Sequence, residues 1–228
     1  MALPFTVDQF LGVFQNYNLA MWPAHLVAYT LGLAAVFCVI RKRSYSDRLV
    51  NLILGIFWVW NGALYHITYF SSINKAAYVF GSFFVIQGLL FIVAGMLKNK
   101  ISYEFTPSVV SVTGILFILY AMLIYPLAGY WLGHGYPFSP SFGLAPCPTT
   151  IFTFGMMLLA VKTLPRGIII IPLLWSLFGF SAAFSLGILE DTGLLAAGIL
   201  GSIMLLIKKR AGLPGNHGKD GPSRSGVC

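Results

Sequence analysis

No Asp, Glu, Lys or Arg lies between Glu104 and Lys162, and apolar runs of the same kind recur on both sides of that interval. Such runs cannot cover a water-facing globule, because soluble domains carry roughly 25% charged residues. Here 9% of the 228 residues are charged, 58% are hydrophobic and 15% aromatic, and the mean hydropathy is +0.84. The composition excludes an ordinary soluble enzyme and makes the lipid bilayer the solvent for most of the surface.

A helix needs about 20 apolar residues at 1.5 Å rise to cross roughly 30 Å of hydrocarbon. Seven runs bounded by charge or turn residues meet or approach that length: 24–40, 49–70, 76–97, 107–126, 149–164, 167–188 and 192–207. They predict an all-α bundle of seven transmembrane helices occupying residues 1–210. Before the first run, Thr6 and Gln9 have capping-box spacing, and Phe10, Phe14, Tyr17 and Met21 recur at helical spacing. These features predict an interfacial amphipathic helix that enters the membrane at Trp22-Pro23. Residues 211–228 are rich in Gly and lack an apolar period, which predicts a disordered cytoplasmic tail.

Charge placement orients the bundle. With the N-terminus outside and the C-terminus inside, every Lys and Arg except Lys75 falls on the cytoplasmic side, while Asp8, Glu190 and Asp191 fall outside. That distribution follows the positive-inside rule, so the net charge of +8 needs no nucleic-acid partner. A single helix running through Glu190-Asp191 would bury two carboxylates in lipid at a cost of several kcal/mol, so the chain is expected to turn there. The first 40 residues hold no Lys or Arg, which argues against a cleaved signal peptide. Cys38, Cys147 and Cys228 do not form a disulfide framework, and Cys228 is misplaced for prenylation.

Polar residues within hydrocarbon are the natural candidates for function. The first run places Asn18, Trp22, His25, Tyr29 and Gly32 on one face, and the second places Trp58, Asn61, Tyr65 and Tyr69 on one face with His66 beside it. The segment Gly133 to Thr150 has no charge, four prolines and several aromatics. It is too apolar for a free linker and too broken for a helix, which predicts a stiff lid or partly re-entrant loop. Pro148 suits a first helical turn, so Cys147 is expected near the N-terminus of the next helix, where the dipole favours a thiolate or an anion. One topology assigns His25, His66, His134, Cys147, Glu190 and Asp191 to the outer half. Candidate metal ligands are therefore His25, His66 and Cys147, suited to copper, zinc or a haem iron. Candidate ligand-binding residues are Tyr29, Asn61, Tyr65, His134, Thr149 and Thr150. For each there is a structural alternative, as belt residues, interhelical hydrogen bonds, a packed thiol, or, for Asp191, a helix cap.

The last run carries no Lys for a retinal Schiff base, and no phosphate-cradling glycine loop, G-x-S-x-G or H-E-x-x-H occurs. Gln87 and the Ala197/Gly201 pair read as packing devices.

The opening Pro4-Phe5-Thr6-Val7-Asp8-Gln9-Phe10, the Tyr17-Asn18…Trp22-Pro23-Ala24 entry, and the His134-Gly135-Tyr136-Pro137 to Pro146-Cys147-Pro148-Thr149-Thr150 segment together resemble a family of bacterial polytopic membrane proteins that is known as a domain of unknown function. The resemblance spans residues 4 to about 207 and implies a multi-pass bacterial inner-membrane protein. It supplies no catalytic residue, substrate or cofactor. The resulting expectation is a protein that binds or transports a small solute or soft metal ion from the outer side. A membrane-embedded redox or cofactor protein holding haem, quinone or pigment is the alternative, and a structural subunit of a homo-oligomer or larger complex a third.

Overall fold

The structure, a computed structural model, describes residues 4–210, so the tail 211–228, with Cys228, lies outside the described residues. Among those residues there is no strand, only an isolated antiparallel bridge between Tyr103 and Ala160. The helices are α1 (Val7–Ala20), α2 (Ala24–Ile40), α3 (Ser46–Ser72), α4 (Ala77–Leu97), α5 (Val109–Trp131), α6 (Pro146–Leu158), α7 (Arg166–Leu186) and α8 (Thr192–Arg210). The capping box forms: Gln9 N donates to Thr6 Oγ1 at 3.3 Å and Thr6 N to Gln9 Oε1 at 2.9 Å. After α1 the chain turns by 86° at Pro23 into α2.

Not all seven expected spans are single helices of membrane length. Five helical stretches are individually long and apolar enough to cross a membrane, namely Ser46–Ser72, Ala77–Leu97, Val109–Trp131, Gly167–Leu186 and Leu189–Lys208. The bent pair α1 and α2 makes a sixth if taken together. The expected run 149–164 is instead a helix of 13 residues, about 20 Å long and short of the hydrocarbon thickness. The run expected to stop at Pro126 continues to Trp131. Proline has no N–H to donate, and a π-helical turn, Tyr120–Ile124, lies just before it and absorbs the misfit. Two further π-helical stretches occur at Asn61–Tyr69 and Phe91–Leu97.

Helix α6 is the centre of the bundle. Every residue from Phe142 to Ala160 is buried, and α6 packs against α3, α5, α7 and α8. An apolar helix with no exposed face belongs in a core rather than at a lipid boundary. Its two ends lie at opposite ends of the bundle. Cys147 neighbours Asp191 at the start of α8, and at the other end Lys208 Nζ donates to the carbonyls of Leu158 (3.2 Å) and Ala160 (2.7 Å). That ammonium satisfies acceptors left open by the helix terminus and complements its dipole.

Glycine sets the close approach of neighbouring helices. A Cβ on Gly62 would stand 2.6 Å from the carbonyl oxygen of Gly81, and one on Gly88 would stand 2.7 Å from that of Gly55. On the antiparallel pair α3 and α4 these two glycine pairs meet at seven-residue intervals. Gly114 of α5 and Gly155 of α6 meet the same way, each Cβ position 2.8 Å from the other's carbonyl oxygen. Small residues let backbones approach where lipid supplies no hydrophobic drive for helices to associate.

At the Lys208 end, a polar latch ties the connection before α5 to the start of α3. Asp47 accepts from Lys42, from Ser102 Oγ at 2.8 Å and from Tyr103 N at 2.9 Å, and Tyr103 OH donates to Asn51 Oδ1 at 2.9 Å. Burial, with the nearby Asp47 carboxylate, pushes the Tyr103 phenol above its usual range. It therefore stays a neutral donor to Asn51.

Gly62→Ala should lower the unfolding midpoint in detergent by the equivalent of about 1–3 kcal/mol, because the new methyl meets backbone that cannot yield. Gly12→Ala, where an added Cβ meets nothing within 4 Å, is the control. Equal midpoints for the two variants would contradict the close-approach account.

Candidate functional site

At the Asp191 end, the chain between α5 and α6 folds inward, and residues 142–145 are buried in a turn in which Leu144 N and Ala145 N both donate to Ser141 O, at 3.2 and 2.8 Å. Side chains supply the missing donors. Asn18 Nδ2 donates to the carbonyls of Pro137 and Ser139, both at 2.8 Å. Tyr17 OH donates to Leu144 O at 2.8 Å, and Asn61 Nδ2 to Gly143 O at 3.1 Å. Trp60 Nε1 holds the Tyr17 hydroxyl at 2.7 Å, and Ser141 Oγ and His25 Nε2 both meet Asn18 Oδ1, at 3.0 and 3.2 Å. Docking of α1 against this loop also carries Phe10 and Phe14, one turn apart, toward α7.

The opposing face of α7 is built from Trp175, Gly179, Ala182 and Ala183, which are too small after Trp175 to fill the gap. The result is a cleft of about 260 Å³. Phe5, Phe10 and Phe14 form one wall, Tyr65, Phe70 and Phe80 a second, and Trp175 and Phe178 a third. The rings brace one another: Phe14 stacks on Tyr65 at 5.0 Å, Phe5 meets Phe70 edge-on at 5.5 Å, and Phe80 meets Trp175 edge-on at 5.6 Å. Exposed Phe178, Ser181 and Ser185 border the mouth.

The polar groups of the cleft are few and convergent. Asp191, 2% exposed, accepts from Tyr125 OH at 2.6 Å on one oxygen. Beside it lies the Cys147 thiol in the first turn of α6. Tyr65, 3% exposed, lines the cleft next to both. Trp175 Nε1 is buried without a hydrogen-bond partner. Glu190, the neighbour of Asp191, points elsewhere: its Oε1 lies 3.2 Å from His134 Nδ1.

A family model matches residues 7–213 of the chain. The chain belongs to DUF6064, a family of unknown function. No curated protein and no solved structure matches it. For this DUF6064 member the chemistry of the site therefore has to be argued from its own residues.

The structure separates the predicted site residues. Cys147 and Tyr65 line the cleft. His25 is taken up by Asn18 and packs against Trp22 and Tyr136 in the roof. His66 is fully buried behind the cleft, boxed by Tyr65, Phe70, Phe80, Phe84 and Trp175, with neither ring nitrogen hydrogen-bonded. His134 faces Glu190. Tyr29 OH donates to Met122 O at 3.0 Å and so ties α2 to α5, while Thr149 Oγ1 receives Asn61 Nδ2 at 3.4 Å and Thr150 donates to Pro146 O at 2.8 Å, so that Asn61, Thr149 and Thr150 hold the loop and α6. Among the described residues no group of three His, Cys, Asp or Glu side chains is placed to hold a metal ion. His25, His66 and Cys147 thus form no three-residue group of that kind among the described residues.

Asp191, assigned in sequence to a turn or a cap, gives its carboxylate to Tyr125 and the cleft. The available signal was an acid between two apolar runs with no basic residue nearby in sequence. The α7 lining left a fainter one, a large aromatic followed at helical spacing by Gly179 and Ala183.

Asn18→Ala removes donors to two carbonyls of the inward loop. It should cost about 1–3 kcal/mol through the acceptors left unpaired. Chymotrypsin should then cut after Phe138 severalfold faster than in the wild type; unchanged cutting and an unchanged unfolding midpoint would contradict the clamp.

Proposed function

We propose that this protein binds a small, mostly apolar organic molecule in the cleft between α1, the end of α3 and α7. The polar head of that molecule meets Asp191, Cys147 and Tyr65, and its body lies against the phenylalanines. The observation that carries the proposal is the cleft itself, a concave apolar site with a few convergent polar groups, the usual form of a small-molecule site. An ionisable side chain at such depth is costly, and its presence there points to a functional role. The lack of a three-ligand group among the described residues favours an organic solute over a metal ion, and passage of that solute across the bilayer is the transport form of the same reading.

The bilayer is taken to be a bacterial cytoplasmic membrane, with the cleft on the outer side. Two observations support seven crossings with the N-terminus outside. The ends of α6 contact opposite ends of α8, so α6 with its inward loop completes one crossing although the helix alone is short. The latch of Lys42, Asp47 and Tyr103 lies with Lys208 at the end where basic residues gather, as cytoplasmic ends do.

Ala182→Phe, which fills the cleft from its mouth, should abolish co-purification of small molecules detected by mass spectrometry of protein extracted into nanodiscs, with the unfolding midpoint retained. Equal recovery of the same molecule from wild type and variant would overturn the assignment. Reporter fusions after Leu132 and after Lys162 should report opposite compartments, with Leu132 outside; a shared compartment would make α6 re-entrant and reduce the crossings to six.

A further inference from the structure

We propose that the occupant of the cleft is an organic cation, an amine or quaternary ammonium with a short apolar body. The inference rests on the small-molecule reading above and names the chemical class. Asp191 and Glu190 are adjacent acids with different surroundings. Glu190 has the His134 imidazole at 3.2 Å, whereas Asp191 has no Lys, Arg or His ion-pair partner among the described residues. The cleft wall likewise contributes no Lys, Arg or His. The histidine closest to it, His66, is shut behind the rings of Tyr65 and Trp175.

A buried carboxylate without a counter-ion is unfavourable in this environment, and the hydroxyl of Tyr125 offsets only part of that cost. The cleft is the side from which a positive charge can reach it. The walls suit such a charge, because the faces of aromatic rings are electron-rich and attract ammonium groups, with Trp and Tyr among the best. Phe10, Phe14, Tyr65, Phe70 and Trp175 supply those faces around the carboxylate end. Tyr65 adds a second, independent feature. It is a nearly fully buried phenol lining the cleft, beside Cys147 and Asp191, and its oxygen can accept a hydrogen bond from an ammonium N–H. A bound cation favours the ionised form of Asp191, whereas a neutral apolar molecule or an anion gives that form no counter-charge.

The test compares two probes of the same shape, benzyltrimethylammonium and its uncharged carbon isostere neopentylbenzene, titrated against the full chain in nanodiscs with tryptophan fluorescence and calorimetry as readouts. Wild type is expected to bind the cation at least about tenfold more tightly than the isostere. Asp191→Asn is expected to abolish that preference. If Asp191→Asn does not fold, Phe178→Leu at the 61% exposed cleft edge is expected to weaken the cation severalfold and leave the isostere nearly unchanged. Equal binding of both probes by wild type would overturn the cation assignment while sparing the cleft as a small-molecule site. Binding of neither probe, together with no loss of co-purified molecules in Ala182→Phe, would overturn the underlying reading as well. A preference for the cation that persists in Asp191→Asn would remove Asp191 as its counter-ion and sink the proposal.

Discussion

Backbone that is neither helix nor strand, sunk among helices of membrane length, must find its hydrogen-bond partners within the protein, and what its own turns leave open falls to side chains. The inward segment 139–145 makes that demand, and much of this end of the molecule answers it. Asn18 and Tyr17 can reach the carbonyls of Pro137, Ser139 and Leu144 only if α1 lies across the bundle end, which the 86° turn after it allows. Trp60 fixes the Tyr17 hydroxyl in turn, and Asn61 secures Gly143 from α3. The same docking places Phe10 and Phe14 opposite α7. The cleft is thus a consequence of how the loop is satisfied, and its shape is tied to the clamp.

Small residues have two opposite consequences here. Where they face one another, as Gly55 with Gly88, Gly62 with Gly81 and Gly114 with Gly155, the backbones close to a distance at which an added methyl cannot fit. Where they face the ladder of phenylalanines on α1, as Ala182 and Ala183 do, nothing closes the gap and a cavity remains. The difference lies in what stands opposite. A neighbouring helix with its own glycine collapses onto the site, while an amphipathic helix crossing at a steep angle bridges over it.

Hydropathy made the helical membrane class legible, because uncharged runs near 20 residues have few other solutions. The capping box at Thr6, the break at Glu190-Asp191 and the inward character of the Gly133–Thr150 segment were also visible, since each rests on local chemistry. The length of α6 was not. The run past Leu158 goes on as buried, non-helical chain only through Leu159 and Ala160, which bridges to Tyr103 and receives Lys208, and hydropathy cannot tell a buried connection from a helix. The extension of α5 through Pro126 was hidden for a similar reason, as a π turn is not written in composition. The candidate site was only half legible. Cys147 and Tyr65, marked by type and position, line the cleft, whereas the places of the histidines depend on tertiary partners that sequence spacing does not show: Asn18 meets His25, Glu190 faces His134, and aromatic rings enclose His66.

The distribution of charge at the Asp191 end explains why a carboxylate rather than an imidazole or thiol directs the cleft. An imidazole that has a hydrogen-bond partner within the fold is committed to it, and one enclosed by rings on every side, as His66 is, cannot touch a ligand without rearrangement of its box. The thiol of Cys147 is a weak donor and weak acceptor, so it shapes the pocket more than it orients an occupant. Asp191 differs from both. One of its oxygens is held by Tyr125, which fixes the direction of the carboxyl group, and the group opens onto a space walled by rings. Fixing the acid from behind while leaving its front without a counter-ion is how a preorganised site keeps its polar group from turning away, and it would give the proposed cation the ion pair that the surrounding protein leaves unmade.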